Sequence, residues 1–327
     1  MKAWRVNELG EPRDVLTLED VAEPVAGDGQ VLVKVLAAPA NFPDVLLCRG
    51  EYQVKPPLPF TPGVELCGEV VAVGAGVTRA AVGDRVVGTP SMPGGAFAEY
   101  AVLNQASVFP APQALDDAEA AALTIGYQTA WFALHRRTRI AEGDYLLVHA
   151  AAGGVGSAAV QLGKAAGAKV IGVVGGPEKA AYAKSLGADL VVDRRSEDFV
   201  QAVKEFTGGH GADIVFDPVG GDAYAGSTKC IAFEGRIVVI GFAGGTIPQP
   251  ALNHALIKNY SIVGLHWGLY QAKNPAVIDD CHAELTRLAD EGLLKPLIGE
   301  RLALTDVADG VARLGDGSTV GRLVFQP

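Results

Sequence analysis

The sequence predicts an α/β protein, a doubly wound parallel sheet behind a β-rich first domain that the C-terminus completes. Three observations carry this expectation. Short β-branched runs broken by Gly, Pro and Asp fill the first 110 residues. From residue 145 apolar strands alternate with amphipathic helices. After residue 261 that alternation loses its regularity. At roughly 150 residues per domain, 327 residues suit two domains.

The elements follow in order. VLVKVLAA (31–38), LCGEVVAVG (66–74) and DRVVG (84–88) read as strands, separated by GDG (27–29) and PPLPFTPG (56–63). No helical period of useful length is expected there. Residues 116–139 are alanine-rich with apolar positions at helical spacing. YLLVHA (145–150), KVIGVVG (169–175), DLVVD (189–193), ADIVFDP (212–218) and RIVVIGF (236–242) are strands. GVGSAAVQLGKAAG (154–167), EKAAYAKSLG (178–187) and SEDFVQAVKEFTG (196–208) are the helices between them. Such alternation implies right-handed βαβ crossovers and a parallel sheet. Residues 275–292 read as a helix, 297–317 as a strand, a helix and a turn, and 321–327 as a last strand. These pieces are expected to return to the first domain.

Composition narrows the function. Half the residues are apolar (49%) and 20% are charged, as in a well-buried globular protein. A net charge of −10 argues against a nucleic-acid binder, which needs a basic face. The cysteines at 48, 67, 230 and 281 are too sparse for a disulfide framework and suit a reducing compartment. The N-terminal stretch lacks an apolar core, so no secretory signal is expected. The charge-free run 145–163 fits a buried strand, tight turn and helix better than a membrane span, because it holds His149, Ser157, Gln161 and four glycines. A cytoplasmic protein is the expectation.

The sharpest motif is HAAAGGVGSAAVQLG, opening at residue 149. Gly153, Gly154, Val155 and Gly156 form a turn between a strand and a helix. Such a turn lets backbone approach a pyrophosphate, and the helix N-terminus supplies free N–H groups. Dinucleotide binding follows. An NAD-binding fold usually carries an acid at the end of the next strand for the ribose 2′-OH. Here that strand ends in Val174, Gly175, Gly176 and Pro177, and Lys179 follows. Arg194 and Arg195 lie past the third strand. A missing carboxylate and added cations favour NADP(H); ordinary solvated charges are the alternative, evenly weighted for Arg195. The six histidines are dispersed, without H-E-x-x-H or H-x-H spacing, and the cysteines form no cluster, so no metal is expected.

GVELCGEVVAVGAGVTRAAVGDRVVG (63–88), NFPD (41–44), HAAAGGVG (149–156) and DPVGG (217–221) resemble the quinone oxidoreductase and zeta-crystallin branch of the medium-chain dehydrogenase/reductase superfamily. The resemblance runs essentially end to end. It implies a GroES-like substrate domain (1–122 with 262–327) and a Rossmann domain (123–261). Zinc-dependent relatives carry a catalytic Cys and His where this sequence has Asn41 and Val64, which implies a zinc-free reductase. The resemblance places Asn41, Asp44 and Tyr52 in the pocket, with Asn41 and Tyr52 as candidate donors to a developing oxyanion. It places Thr129 near the nicotinamide, Lys179 and Arg194 at the 2′-phosphate, and Gly241, Phe242 and Leu265 over the nicotinamide half. The expected reaction is hydride transfer from NADPH to a quinone. An enoyl or haloacrylate-type alkene reductase is the alternative, and a non-catalytic NADPH-binding protein a lesser one. The resemblance also implies a homodimer paired through the edge strands near 236–242 and 260–267.

Overall fold

The β-branched runs of the first hundred residues pair in antiparallel ladders. The computed structural model describes residues 1–327. β1 (Lys2–Val6) and β2 (Leu16–Asp20) make a two-stranded ribbon, with the short helix α1 (Pro12–Val15) between them. β3 (Gln30–Pro39) is the longest strand, and β4 (Leu66–Val73) runs along one side of it. β5 (Arg85–Gly88) pairs with β4 and β7 (Val108–Pro110) with β5, while β6 (Tyr100–Asn104) returns to the other side of β3. Neither α1 nor a second, longer helix was expected here. α2 (Phe42–Arg49) starts on Asn41, whose backbone N–H donates to the Asp44 carboxylate, carries Pro in its first turn and ends on left-handed Gly50. Its eight residues span two turns, too few for a periodic signal.

α3 (Asp117–Ala121) and α4 (Thr124–Trp131) follow from the alanine-rich stretch. The βα alternation then builds one six-stranded parallel sheet. Its strands are β8 (Tyr145–His149), β9 (Lys169–Val174), β10 (Leu190–Asp193), β11 (Ala212–Asp217), β12 (Ile231–Val239) and β13 (Ser261–Gly264), in the order β10-β9-β8-β11-β12-β13. Between them run α5 (Gly154–Ala165), α6 (Pro177–Ser185), α7 (Phe199–Phe206), α8 (Gly221–Cys230) and α9 (Leu252–Lys258). β8 and β11 sit side by side at the point where the winding reverses. Leu147, Ile171, Val215 and Ile237, from four adjacent strands, are fully buried in the core of this unit. Strands covered on both faces read as continuous apolar runs, which is why the sequence showed them.

α10 (Gly268–Lys273) ends this unit, and α11 (Ala276–Asp290) opens the return. β14 (Ile298–Ala303), α12 (Val307–Gly315) and β15 (Arg322–Gln326) complete it, with β15 pairing antiparallel to the end of β3. The chain thus divides into Met1–Ile125 with Pro275–Pro327, and Gly126–Asn274. The second boundary falls at 274/275 and not at 261/262 as expected. The reason is that β13 pairs in parallel with β12, so the parallel sheet keeps it and the α10 that follows.

The C-terminal return is built into the first unit's core. Phe325 meets Phe97 edge-on at 5.2 Å, and Trp4 Nε1 donates to Leu304 O at 2.6 Å. Phe325→Ala should therefore destabilise the protein by about 3–5 kcal/mol in denaturant titration. A loss under about 1 kcal/mol would show that β15 is not a core strand.

Candidate active site

The first cluster is made of four buried polar side chains in the first unit. Asn41, Asp44, Glu65 and Arg322 are each at most 5% exposed. Asn41 caps α2 and Asp44 sits at its third position. The Asp44 carboxylate accepts from Asn41 N and from Gly63 N, both at 2.8 Å, and so ties the start of α2 to the loop before β4. Arg322 Nη2 is ion-paired to Glu65 Oε1, and its Nη1 donates to Asn41 Oδ1 at 3.1 Å. Asn41 Nδ2 closes the ring by donating to Glu65 Oε1 at 2.9 Å. Its second hydrogen goes to Pro39 O at 3.2 Å. Glu65 Oε2 accepts from Ile125 N at 2.6 Å, which satisfies a free N–H in the first turn of α4.

The cluster takes up the side-chain polar atoms of Asn41. Both hydrogens of its carboxamide are engaged inside the protein, so none is left for a substrate oxygen. Asn41 is an anchor of the cluster. Tyr52 remains a candidate donor: it is half-buried, packed against the core, with its hydroxyl pKa raised by burial and by Asp44. Burial lifts Asp44 itself to about 7, against the lowering pull of the two backbone N–H groups and Arg322.

The same cluster decides whether a zinc ion would fit. Both Glu65 oxygens are occupied by protein donors, and no three His, Cys, Asp or Glu side chains converge anywhere in the chain. The donor set does not suit zinc.

The second cluster lies in the other unit, along the C-terminal edge of the parallel sheet. Crossover loops leave that edge at each strand end, and ligands of open α/β sheets bind there. Gly153, Gly154, Val155 and Gly156 follow β8, and Gly156 lies in the first turn of α5. A Cβ on Gly156 would stand 2.1 Å from Ala150 O, so only glycine lets the turn close this tightly. Gly175 follows β9, Lys179 lies in the first turn of α6, and Arg194 follows β10. On the far side of β8, Gly241 and Phe242 follow β12 and Leu265 follows β13. Thr129 stands on α4, one position past Gln128, whose Oε1 accepts from Trp267 Nε1 at 3.0 Å. The sheet thus brings phosphate-turn, cation and β12–β13 positions to one edge.

The cations crowd one another. A Cβ on Gly175 would lie 3.4 Å from Arg194 Nη2, and one on Gly176 3.0 Å from Arg195 Nη1. Burial lowers the Lys179 pKa, and Arg195 and Arg194 lower it further. Arg49, Arg85 and Arg236 are each salt-bridged to a carboxylate, whereas Arg194 and Arg195 have no such bridge. Concentrated positive charge on a chain of net charge −10 fits an anionic ligand. Together with the glycine turn it fits NADP(H).

Sequence reasoning missed Glu65 and Arg322 as members of the buried cluster. Glu65 stood beside Val64 in a motif already quoted. Arg322 carried no signal, since its partner Asn41 is 281 positions away.

Comparison with known proteins agrees with this geometry. Residues 27–113 match the alcohol dehydrogenase GroES-like domain family, and residues 154–283 match the zinc-binding dehydrogenase family. The chain is 40% identical to quinone oxidoreductase-like protein 2 homolog of Nematostella vectensis, over 99% of this chain and 88% of that protein. It superposes on the quinone oxidoreductase of Pseudomonas syringae pv. tomato with a TM-score of 0.91 and 35% identity, covering 100% and 99% of the two chains. For the Escherichia coli quinone oxidoreductase complexed with NADPH the TM-score is 0.92 and the identity 30%, with both chains fully covered. The chain belongs to the zinc-independent quinone oxidoreductase branch of the medium-chain dehydrogenase/reductase superfamily, and it is an oxidoreductase.

Two buried groups give opposite pH dependences. Asp44 rises from 3.8 to about 7 on folding, so its contribution to stability is lost as pH rises through that window. His149, buried at the end of β8 with Nε2 2.8 Å from Ser227 Oγ, falls from 6.5 to about 4. Its contribution is lost as pH falls through that window. Melting temperatures should show Asp44→Asn gaining on the wild type between pH 4 and 7 as pH rises. His149→Gln should gain as pH falls from 6.5 to about 4. Curves that stay parallel to the wild type would exclude these assignments.

Proposed function

We propose that this member of the branch is a zinc-free, NADPH-dependent reductase of quinones. The observation that carries the reading is the glycine turn of β8–α5 beside the Lys179, Arg194 and Arg195 cations. Gly153, Gly154, Val155 and Gly156 would hold the pyrophosphate, with Lys179 and Arg194 on the 2′-phosphate and Gly175 giving close approach. Thr129, Gly241, Phe242 and Leu265 would hold the nicotinamide half. When bound, NADPH supplies a hydride from C4 of its nicotinamide.

The protein's own groups do the rest. Positioning supplies much of the rate. Adding a hydride to a quinone carbonyl leaves negative charge on oxygen, and a hydrogen-bond donor must meet it. Tyr52 is that donor, through its hydroxyl, and Tyr52 or water passes on the proton that completes the hydroquinone. Asn41 and Asp44 serve by holding the start of α2 in place. The hydroquinone anion formed by hydride transfer is a delocalised, stabilised product, so weak acid catalysis suffices. An activated alkene needs a better-placed acid at its α-carbon.

The four cysteines are free and buried, which suits a reducing cytoplasm. No helix is long and apolar enough to cross a membrane. A second copy of the chain is the proposed partner. β13 is the edge strand of the parallel sheet, and just before it Leu252, Leu256 and Ile257 of α9 are 71–76% exposed. An apolar, unpaired edge calls for cover, and a two-fold dimer supplies it.

Following reduced-nicotinamide absorbance over simple quinones, enones and an enoyl thioester tests the function. Quinone turnover with NADPH preferred over NADH is expected, and Tyr52→Phe should lower kcat by about 10²–10³. Turnover of alkenes alone would move the chain to the alkene reductases. Tight NADPH binding without turnover would make it a binding protein. Sedimentation should give a dimer mass, and a monomer mass that does not change with concentration would reject the proposed pairing.

A further inference from the structure

We propose that Asp193 is a positioning residue for discrimination between NADPH and NADH, and that Arg195, which it holds, is a further guanidinium of the 2′-phosphate site. The inference rests on the reading of Lys179 and Arg194 given above.

β9 and β10 are parallel neighbours, with Asp193 in register with Val174. The turn after β9 carries Gly175 and Gly176, and the turn after β10 carries Arg194 and Arg195. A single carboxylate oxygen joins the two turns. Asp193 Oδ1 accepts from Gly176 N at 2.8 Å and from Arg195 N at 3.0 Å. A second link runs beside it, Arg194 N donating to Val174 O at 3.0 Å. Both guanidiniums then lie alongside Gly175 and Gly176. Gly176 itself has φ of +105°, where a side chain would be strained as well as crowded by Arg195 Nη1. The carboxylate is also tied by its own backbone, since Glu197 Oε1 accepts from Asp193 N at 3.0 Å.

An acid beside a phosphate pocket is at first sight unfavourable. Through space, its negative charge repels the 2′-phosphate and weakens NADPH. Through structure, it fixes the arginines that attract the phosphate and strengthens NADPH. The two effects have opposite signs, so one substitution separates them. Removing Asp193 should tighten NADPH if repulsion dominates and loosen it if positioning does. NADH lacks the 2′-phosphate and reports only general damage to the turn.

The test is the dissociation constant of each nucleotide, read by nucleotide fluorescence, for the wild type, Asp193→Ala, Asp193→Asn and Arg195→Ala. Arg195→Ala should raise the NADPH constant about tenfold or more and leave NADH within about twofold. Asp193→Ala should also loosen NADPH selectively, although it removes a negative charge. Asp193→Asn keeps an acceptor oxygen and should stay near the wild type or bind NADPH more tightly. The NADPH/NADH ratio in one preparation cancels any loss of folded protein. Tighter NADPH binding by Asp193→Ala, or equal losses for both nucleotides, would overturn the inference. A wild type that prefers NADPH, with variants keeping that preference, rejects the inference alone. A wild type without preference rejects the 2′-phosphate reading as well.

Discussion

A buried ion pair holds the first unit together at its least expected point. Arg322, on the last strand, reaches Glu65 before β4, and the two share Asn41 at the start of α2. Removing one partner of such a pair leaves an uncompensated buried charge and costs about 3–5 kcal/mol. That is a large part of the roughly 5–15 kcal/mol that keeps a domain folded. The pair is therefore only as stable as its closure, and closure requires β15 to lie against β3. Residues Pro275–Pro327 return to the first unit, where Arg322 and Phe325 have their partners.

The same pair limits the chemistry. Glu65 has one oxygen on Arg322 and Asn41 and the other on the Ile125 amide. A carboxylate so engaged has little left for a metal ion, and a carboxamide so engaged has no hydrogen left for substrate. In the proposed reaction the developing charge would then be met by hydroxyl or water. This is why Tyr52, half-buried and close enough to Asp44 for its pKa to be raised, carries the proposed donor role.

The parallel sheet imposes a different kind of constraint. Its strands all point one way, so their C-terminal ends gather turns that are far apart in sequence. Residues 153–156, 175–179, 194–195, 241–242 and 265 line that edge, although long stretches of sequence separate one turn from the next. Two glycines do work there that no other residue could: Gly156 admits the Ala150 carbonyl, and Gly176 takes a positive φ under Arg195.

Local physics made much of this legible in the sequence. Strand and helix periods, the glycine turn and the cations beyond β9 and β10 depend on burial and backbone freedom within short windows, so spacing alone revealed them. The eight-residue α2 escaped because two turns carry no period, and the boundary at 274 because a four-residue strand chooses its sheet by pairing. What only the tertiary structure decided was the assignment of individual hydrogen bonds. Asn41 is 24 residues from Glu65 and 281 from Arg322, and Asp193 is 17 from Gly176. No local pattern encodes which distant atom a carboxamide or carboxylate will face. Residue types named the candidates, and the packing of strands remote in sequence determined which of them kept a free hydrogen.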